Sequence, residues 1–183
     1  MNHVKLSTPR QPATDGLTPP RLIRLVLVAA GIAAWFWTQS LIGGRPSVGG
    51  TLGDGLHELT APLHSFLYEN PPWADAILIV GSLFIDLLGF FLLIWSIVGP
   101  SIRPFLGLLI LFGLRQMCQV ACALPPPQGI IWRDPGFPSV LVTYGIANDL
   151  FFSGHSAIAV YGAVELVRLG RSWLTGLAMA IAL

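Results

Sequence analysis

Ala76-Ile-Leu-Ile-Val-Gly-Ser-Leu-Phe-Ile-Asp-Leu-Leu-Gly-Phe-Phe-Leu-Leu-Ile-Trp-Ser-Ile-Val98 carries a single charge, Asp86. A helix of roughly 20 such residues crosses the hydrocarbon core of a bilayer. Three further runs are also long and largely apolar: Leu22 to Ile42, Phe105 to Leu124 and Leu150 to Leu169. A fifth begins near Trp173 and stops at Leu183, too short to cross alone. The whole chain agrees with the runs. Of its 183 residues 54% are hydrophobic and only 10% charged, with mean hydropathy +0.70. Soluble domains carry about 25% charge. The spacing therefore predicts an all-α fold, a polytopic membrane helix bundle with four complete spans and part of a fifth. Residues 1–20 are polar and contain Pro9, Pro12, Pro19 and Pro20, so they read as a cytosolic tail rather than a cleaved signal peptide. Residues 21–183 read as one membrane domain. A net charge of +1 leaves no basic surface for nucleic acid.

Basic residues orient the spans. Lys5, Arg10, Arg21 and Arg24 cluster at the start of the first, Arg103 sits in the second connection, and Arg168 and Arg171 close the fourth. The odd connections contain Arg45 and Arg133 against Asp54, Glu58, Glu69, Asp75 and Asp134. By the positive-inside rule the N-terminus is cytoplasmic and the start of the fourth span faces outward. Trp73 and Trp132 on the outer side, with Trp95 and Trp173 on the inner, fit an aromatic belt.

In the first outer connection, Gly43 to Trp73, Leu52, Leu56, Leu59, Leu63, Phe66 and Leu67 recur at helical spacing. This predicts an amphipathic helix on the membrane surface, ended by Pro71-Pro72. His57 and His64 share its polar side with Asp54, an arrangement that suits a solvated face better than a metal site. Within the membrane, Asp86 and Arg115 each fall about 15 Å from the outer end of their spans at 1.5 Å per residue. Two opposite charges at one depth are expected to pair, since either alone in hydrocarbon is costly. The pair serves helix pinning and a functional role equally well. Arg115, Cys118, Gln119 and Cys122 form an i, i+3, i+4, i+7 stripe that must face the bundle interior. Ala159, Gly162 and Ala163 offer a small-residue face for helix packing, and Arg168 can satisfy Glu165 three residues before it. The connection Pro125 to Ser139 is too rich in proline for a helix and is expected over the mouth of the bundle.

The chemistry-bearing stretch is Asn148-Asp-Leu-Phe-Phe-Ser-Gly-His-Ser156. Ser153 can cap a helix start or offer its hydroxyl, and Gly154 lets the backbone approach a ligand closely. The unpartnered first-turn N–H groups favour an anion there. His155 can then donate a proton to an oxygen leaving that anion. By itself, Ser-Gly-His suits a plain capped helix start with a buried-edge histidine better than it suits a phosphate site.

Arg115 followed by Leu124-Pro-Pro-Pro-Gln128 and then Asp149-Leu-Phe-Phe-Ser-Gly-His155 resembles the sphingomyelin synthase branch of the type 2 phosphatidic acid phosphatase superfamily. Within it the run is most similar to the phosphatidylcholine:diacylglycerol cholinephosphotransferases. The resemblance covers roughly residues 74 to 172. It implies a phosphohistidine mechanism without metal or cofactor: a second histidine, held by an aspartate, attacks the phosphorus of a phospholipid. The headgroup then passes to a lipid alcohol. Carried over, His155 is the general acid, Ser153 and Gly154 line the phosphate, and Arg115 and Asp149 match motif positions around it. In the complete family member six spans are expected, and the nucleophile lies in a His-Tyr-Thr-x-Asp motif after the fifth. None of His3, His57 and His64 replaces it, so the chain reads as C-terminally truncated and without its nucleophile. Arg103-Pro104 imitates a phosphate-binding motif of the wider superfamily but falls on the inner side. The activity implied is a membrane lipid phosphotransferase. A lipid phosphate phosphatase using water, a non-catalytic relict and a transporter working through Asp86 and Arg115 are its rivals.

Overall fold

The structure is a computed structural model and describes residues 19–45, 49–50, 55–122, 124–142, 144, 152–170, 173 and 176. Five helices are ordered along them: α1 (Arg21–Gly43), α2 (Gly55–Glu69), α3 (Pro71–Val98), α4 (Arg103–Ala121) and α5 (Gly154–Arg168). No strand occurs among the described residues. Helices α1, α3 and α4 are each long and apolar enough to cross a membrane. Their outward faces are apolar and exposed, with Trp37, Val80, Leu87, Ile94, Ile110 and Met117 among the most open. Water would penalise such surfaces at roughly 25 cal/mol per Å². A bilayer does not, and these helices fit an integral membrane protein.

Local chemistry sets the helix ends. Asn70 separates α2 from α3: its Nδ2 donates to Phe66 O at 2.7 Å, and Pro71 occupies the first turn of α3, where the missing N–H costs nothing. The two prolines expected only to end the surface helix thus also begin the next, five residues ahead of Ala76. The surface helix itself is present as α2, with Leu59, Leu63 and Phe66 exposed and Pro62 within it. Helix α5 is shorter than the expected span from Leu150. Phe152 and Ser153 are not helical, and Ser153 caps the helix that begins at Gly154 and runs for 15 residues. Of the four spans expected, three appear as helices long and apolar enough to cross, the third ending at Ala121, before the expected Leu124. The fourth is reduced to this shorter helix. The tail up to residue 18, Leu150 and most of the run after Trp173 lie outside the described residues.

Helix α3 is the hub. It packs on α1, α4 and α5 and supports α2 from outside, while α4 fills the space between α1 and α5. One core cluster joins Ile85 and Leu88 of α3 to Ile158, Ala163 and Leu166 of α5, with Val142 inserted from the long connection. Gly162 sits where a Cβ would meet Leu88 Cδ2 at 2.6 Å, so the small-residue face is what lets α3 and α5 touch. A second cluster gathers Val28, Ile102 and Phe105 near the opposite end.

That opposite end is basic. Arg24, buried at the start of α1, donates to Pro19 O at 2.8 Å and to Gly99 O at 2.7 Å. Glu165 accepts from Arg168 at 3.0 Å, the pairing expected from their spacing, and also from Arg103 at 2.9 and 3.1 Å. Arg103 is therefore an ion-pair partner as well as a flanking charge.

Asp86 and Arg115 do not pair. The Asp86 carboxylate accepts Val140 N–H and Leu141 N–H, each at 2.9 Å, while Arg115 turns to α1 and to the start of α5. The helix ends differ from those expected: α3 begins at Pro71 and α4 ends at Ala121, so the two charges do not lie equally far from the outer ends of their helices. Here the connection after Ser139 inserts its backbone beside α3 and takes the carboxylate first. Two unpaired amide donors would be as costly in this interior as the charge, so each satisfies the other.

Candidate functional site: a chamber at the start of α5

The Ser-Gly-His segment is shaped by its backbone before its side chains. Phe152 adopts φ +67°, a left-handed conformation that a bulky residue reaches only at a cost of about 1–3 kcal/mol. The turn redirects the chain into α5 and presents the Phe152 carbonyl to Arg115, whose Nε donates to it at 3.2 Å. Ser153 Oγ then accepts Ser156 N–H at 3.3 Å, so its cap is formed as the sequence suggested. Gly154 is the first helical residue. A Cβ on it would stand 3.2 Å from Arg115 Nε and 3.7 Å from Cζ. The absent side chain is what lets the guanidinium lie against the helix start.

Arg115 is buried and held from two further sides. Its Nη1 donates to Gln39 Oε1 of α1 at 3.0 Å. With the Gln119 amide turned so that its oxygen faces the guanidinium, that oxygen accepts from Nη1 at 3.2 Å and Nη2 at 2.9 Å. Gln119 is almost fully buried, so the upper part of the polar stripe does face inward. Cys118 and Cys122 are half-buried thiols.

Around these groups lies a chamber of about 210 Å³. Arg115, Ser153, Gly154 and His155 line one side, and Trp35, Ile85, Phe112, Leu141, Val142 and Ile158 form apolar walls. The proline-rich connection closes over it with Ile130 and Trp132. The Trp132 ring meets the His155 imidazole edge-on, with centroids 5.8 Å apart, and also packs on Tyr144 at 4.9 Å. Two clasps fix this connection from outside. Arg133 donates to Asp75 Oδ1 at 2.7 and 3.1 Å, and His64 Nε2 is 2.9 Å from Gly129 O.

Four of the five residues singled out in the sequence thus meet in one chamber: Arg115, Ser153, Gly154 and His155. Asp149 lies outside the described residues, as do Asp54 and the side chain of His57. His64 faces the connection rather than the chamber. Sequence reasoning passed over Gln39, Trp35 and the turn at Phe152. Gln39 had a signal, being an amide inside the otherwise apolar first run. The turn had none, because Phe152 looks like one more apolar residue.

The family model AtPDCT1/2 matches residues 54–182. The chain belongs to the AtPDCT1/2 family. Its members are of the phosphatidylcholine:diacylglycerol cholinephosphotransferase type, lipid-modifying transferases of membranes. No curated protein and no solved structure matches the chain. The AtPDCT1/2 match is wider than residues 74 to 172, on which the resemblance rested, and takes in α2 through α5. Every chamber-lining residue named above falls inside it except Trp35, which α1 contributes from ahead of the match.

Proposed function

We propose that this AtPDCT1/2-family protein moves a phospho-headgroup from a phospholipid to a lipid alcohol, with the chamber at the start of α5 as its site. The observation that carries this reading is the convergence of Arg115, Ser153, Gly154 and His155 on one chamber inside an apolar bundle. Arg115 presents a planar set of donors to a phosphate. The first-turn N–H groups of α5 add a partial positive charge beside it. Asp149 completes this phosphate-binding group by its motif position. His155 acts as the general acid.

In the first half-reaction a histidine nitrogen forms a bond to phosphorus as the phosphorus–oxygen bond to the glycerolipid breaks. His155 gives its proton to that leaving oxygen. In the second half the acceptor hydroxyl attacks phosphorus, its proton passes to His155, and the phosphorus–nitrogen bond breaks. His3, His57 and His64 do not take that role, and the nucleophile of this scheme is the histidine of the His-Tyr-Thr-x-Asp motif that family resemblance implies, which the 183 residues do not contain. The step needs no metal in this scheme. The apolar walls and the Trp132 cover favour a lipid hydroxyl over water as acceptor, because excluding water suppresses hydrolysis.

We place the N-terminus and the Arg24, Arg103 and Arg168 end in the cytoplasm, and the chamber toward the extracytoplasmic face. The gathering of three arginines at one end of the bundle supports that orientation. The test is headgroup exchange in lipid nanodiscs by the complete gene product carrying the His-Tyr-Thr-x-Asp motif, with choline-labelled phosphatidylcholine as donor and diacylglycerol as acceptor. Label appearing on the acceptor glycerolipid supports the reading, and release of free phosphocholine alone would replace it with a hydrolase that uses water as acceptor.

A further inference from the structure

Helix α2 turns its apolar stripe away from the protein. Leu59, Leu63 and Phe66, spaced i, i+4 and i+7 on one side, are 78, 56 and 48% exposed. His64 follows Leu63, about a quarter turn round the helix, and faces the protein instead. Its Nε2 is 2.9 Å from Gly129 O, in the connection that closes the chamber. A carbonyl only accepts, so Nε2 carries the proton and donates. Gly129 suits this contact: its φ is +70°, and a Cβ on it would stand 3.1 Å from His64 Cε1. The next residue, Ile130, lines the chamber. Glu58, Ala61 and Ser65 come off α2 a quarter turn or more from the stripe, and all are exposed.

Helix α3 sets the level of α2 in the bilayer. Only Asn70 separates Glu69 from Pro71. The 28 residues of α3 span about 42 Å, against a hydrocarbon core of about 30 Å. Its first turn, where Trp73 is exposed, therefore reaches the headgroup region, where indoles are favoured. Helix α2 starts from that depth. Its middle meets the connection at Gly129, so it runs along the mouth of the bundle rather than across the membrane. The stripe is thus continuous with the lipid-facing surface of the spans. Charge narrows the partner further. No lysine or arginine occurs between Arg45 and Arg103, whereas α2 carries Glu58 and Glu69. Helices that bind anionic lipid present lysine and arginine on their polar face. Apolar insertion into an uncharged or zwitterionic surface is what this composition suits.

We propose that α2 docks on the zwitterionic leaflet at the chamber's end of the bundle and holds the connection over the chamber. Leu59, Leu63 and Phe66 insert among the outermost acyl carbons, and His64 grips Gly129 from the side. The proposal stands whether or not the chamber transfers headgroups. Lifting α2 into water would strain or break the bond to Gly129, loosen Ile130 and Trp132, and uncover His155.

The experiment begins with the unmodified chain in phosphatidylcholine nanodiscs. It is photolabelled with a phosphatidylcholine that carries a diazirine near the ester end of one acyl chain, and the sites are located by mass spectrometry. Within α2, labelling of Leu59, Leu63 and Phe66 should exceed that of Glu58, Ala61 and Ser65 by about fivefold or more. Adding phosphatidylglycerol should leave that labelling, relative to α3, unchanged or lower. The hold on the connection is read by diethyl pyrocarbonate modification of His155 in the same nanodiscs. Leu59→Glu combined with Leu63→Glu should speed it by about threefold or more, and Ala61→Glu should not. Equal labelling of both sides of α2, or labelling that rises with phosphatidylglycerol, overturns the proposal. So does an unlabelled stripe, which would mean that a second copy or another part of this chain covers it. These outcomes need no variant. An unchanged His155 rate in the double variant overturns it too, because the docked helix would then hold nothing.

Discussion

Gly154 and Arg115 are in close contact: a Cβ on Gly154 would stand 3.2 Å from Arg115 Nε, near enough that the guanidinium would have to give way by a few tenths of an ångström. The helix start and the cation of the site are thus one unit, tied again by the bond from Nε to Phe152 O. Gly154→Ala should keep the fold, since alanine suits a first turn, with a stability change below about 1 kcal/mol. It should displace the guanidinium by a few tenths of an ångström and lower the transfer rate about tenfold or more. Melting temperature and kcat measured on the same preparation check both parts.

Asp86 holds the Val140 and Leu141 amides, which carry Leu141 and Val142 into the chamber wall. Asp86→Asn should destabilise the protein by about 1–3 kcal/mol, as loss of charge-assisted bonds does. The cost is local to that connection and independent of Arg115. In a double-mutant cycle with Arg115→Gln the two effects should add to within about 0.5 kcal/mol. A large coupling energy would mean that the two charges interact after all.

These two residues mark where the sequence was readable. The apolar runs identified α1, α3 and α4, because in lipid the length and polarity of a helix leave little choice. The leucine spacing found α2, and Ser-Gly-His located the start of α5. Neither depth along a span nor rotation was legible: α3 begins before Ala76 and α4 ends before Leu124. The expected equal depth of Asp86 and Arg115 does not match the helix bounds, since α3 begins at Pro71 and α4 ends at Ala121, and nothing in their spacing foretold that the chain after Ser139 would take the Asp86 carboxylate. Pro71-Pro72 was ambiguous in another way, since proline ends one helix and begins the next equally well. The chamber's polar residues announced themselves by standing in apolar runs or motifs. Trp35 did not, because an indole in a membrane helix looks like ordinary apolar packing.

Gln39 links α1 to the site through its bond to Arg115. Gln39→Leu preserves the volume and removes the acceptor. The expected result is a rise in KM for the phospholipid donor of about tenfold, with kcat within a factor of about three, since the loss falls on positioning a bound phosphate. An unchanged KM would show that Gln119 and Phe152 O suffice to hold the guanidinium.

At the other end, Glu165 is nearly buried between Arg103 and Arg168, both about half exposed. Glu165→Gln should lower stability by about 1 kcal/mol, discounted from the cost of a fully buried pair because the arginines reach solvent. Headgroup transfer should be unaffected. The check is thermal denaturation in nanodiscs alongside the exchange assay.

The central claim is that His155 protonates the leaving glycerolipid oxygen in the chamber beside Arg115. The most direct test compares the complete gene product, carrying the His-Tyr-Thr-x-Asp motif that supplies the nucleophile, with its His155→Ala variant in nanodiscs, following choline-labelled headgroup from phosphatidylcholine to diacylglycerol while phosphatidylcholine binding is measured in parallel. The account predicts transfer lowered by at least about a hundredfold in the variant, as removal of a general acid does, with lipid binding and melting temperature preserved. Transfer at the unmodified rate in His155→Ala would contradict it.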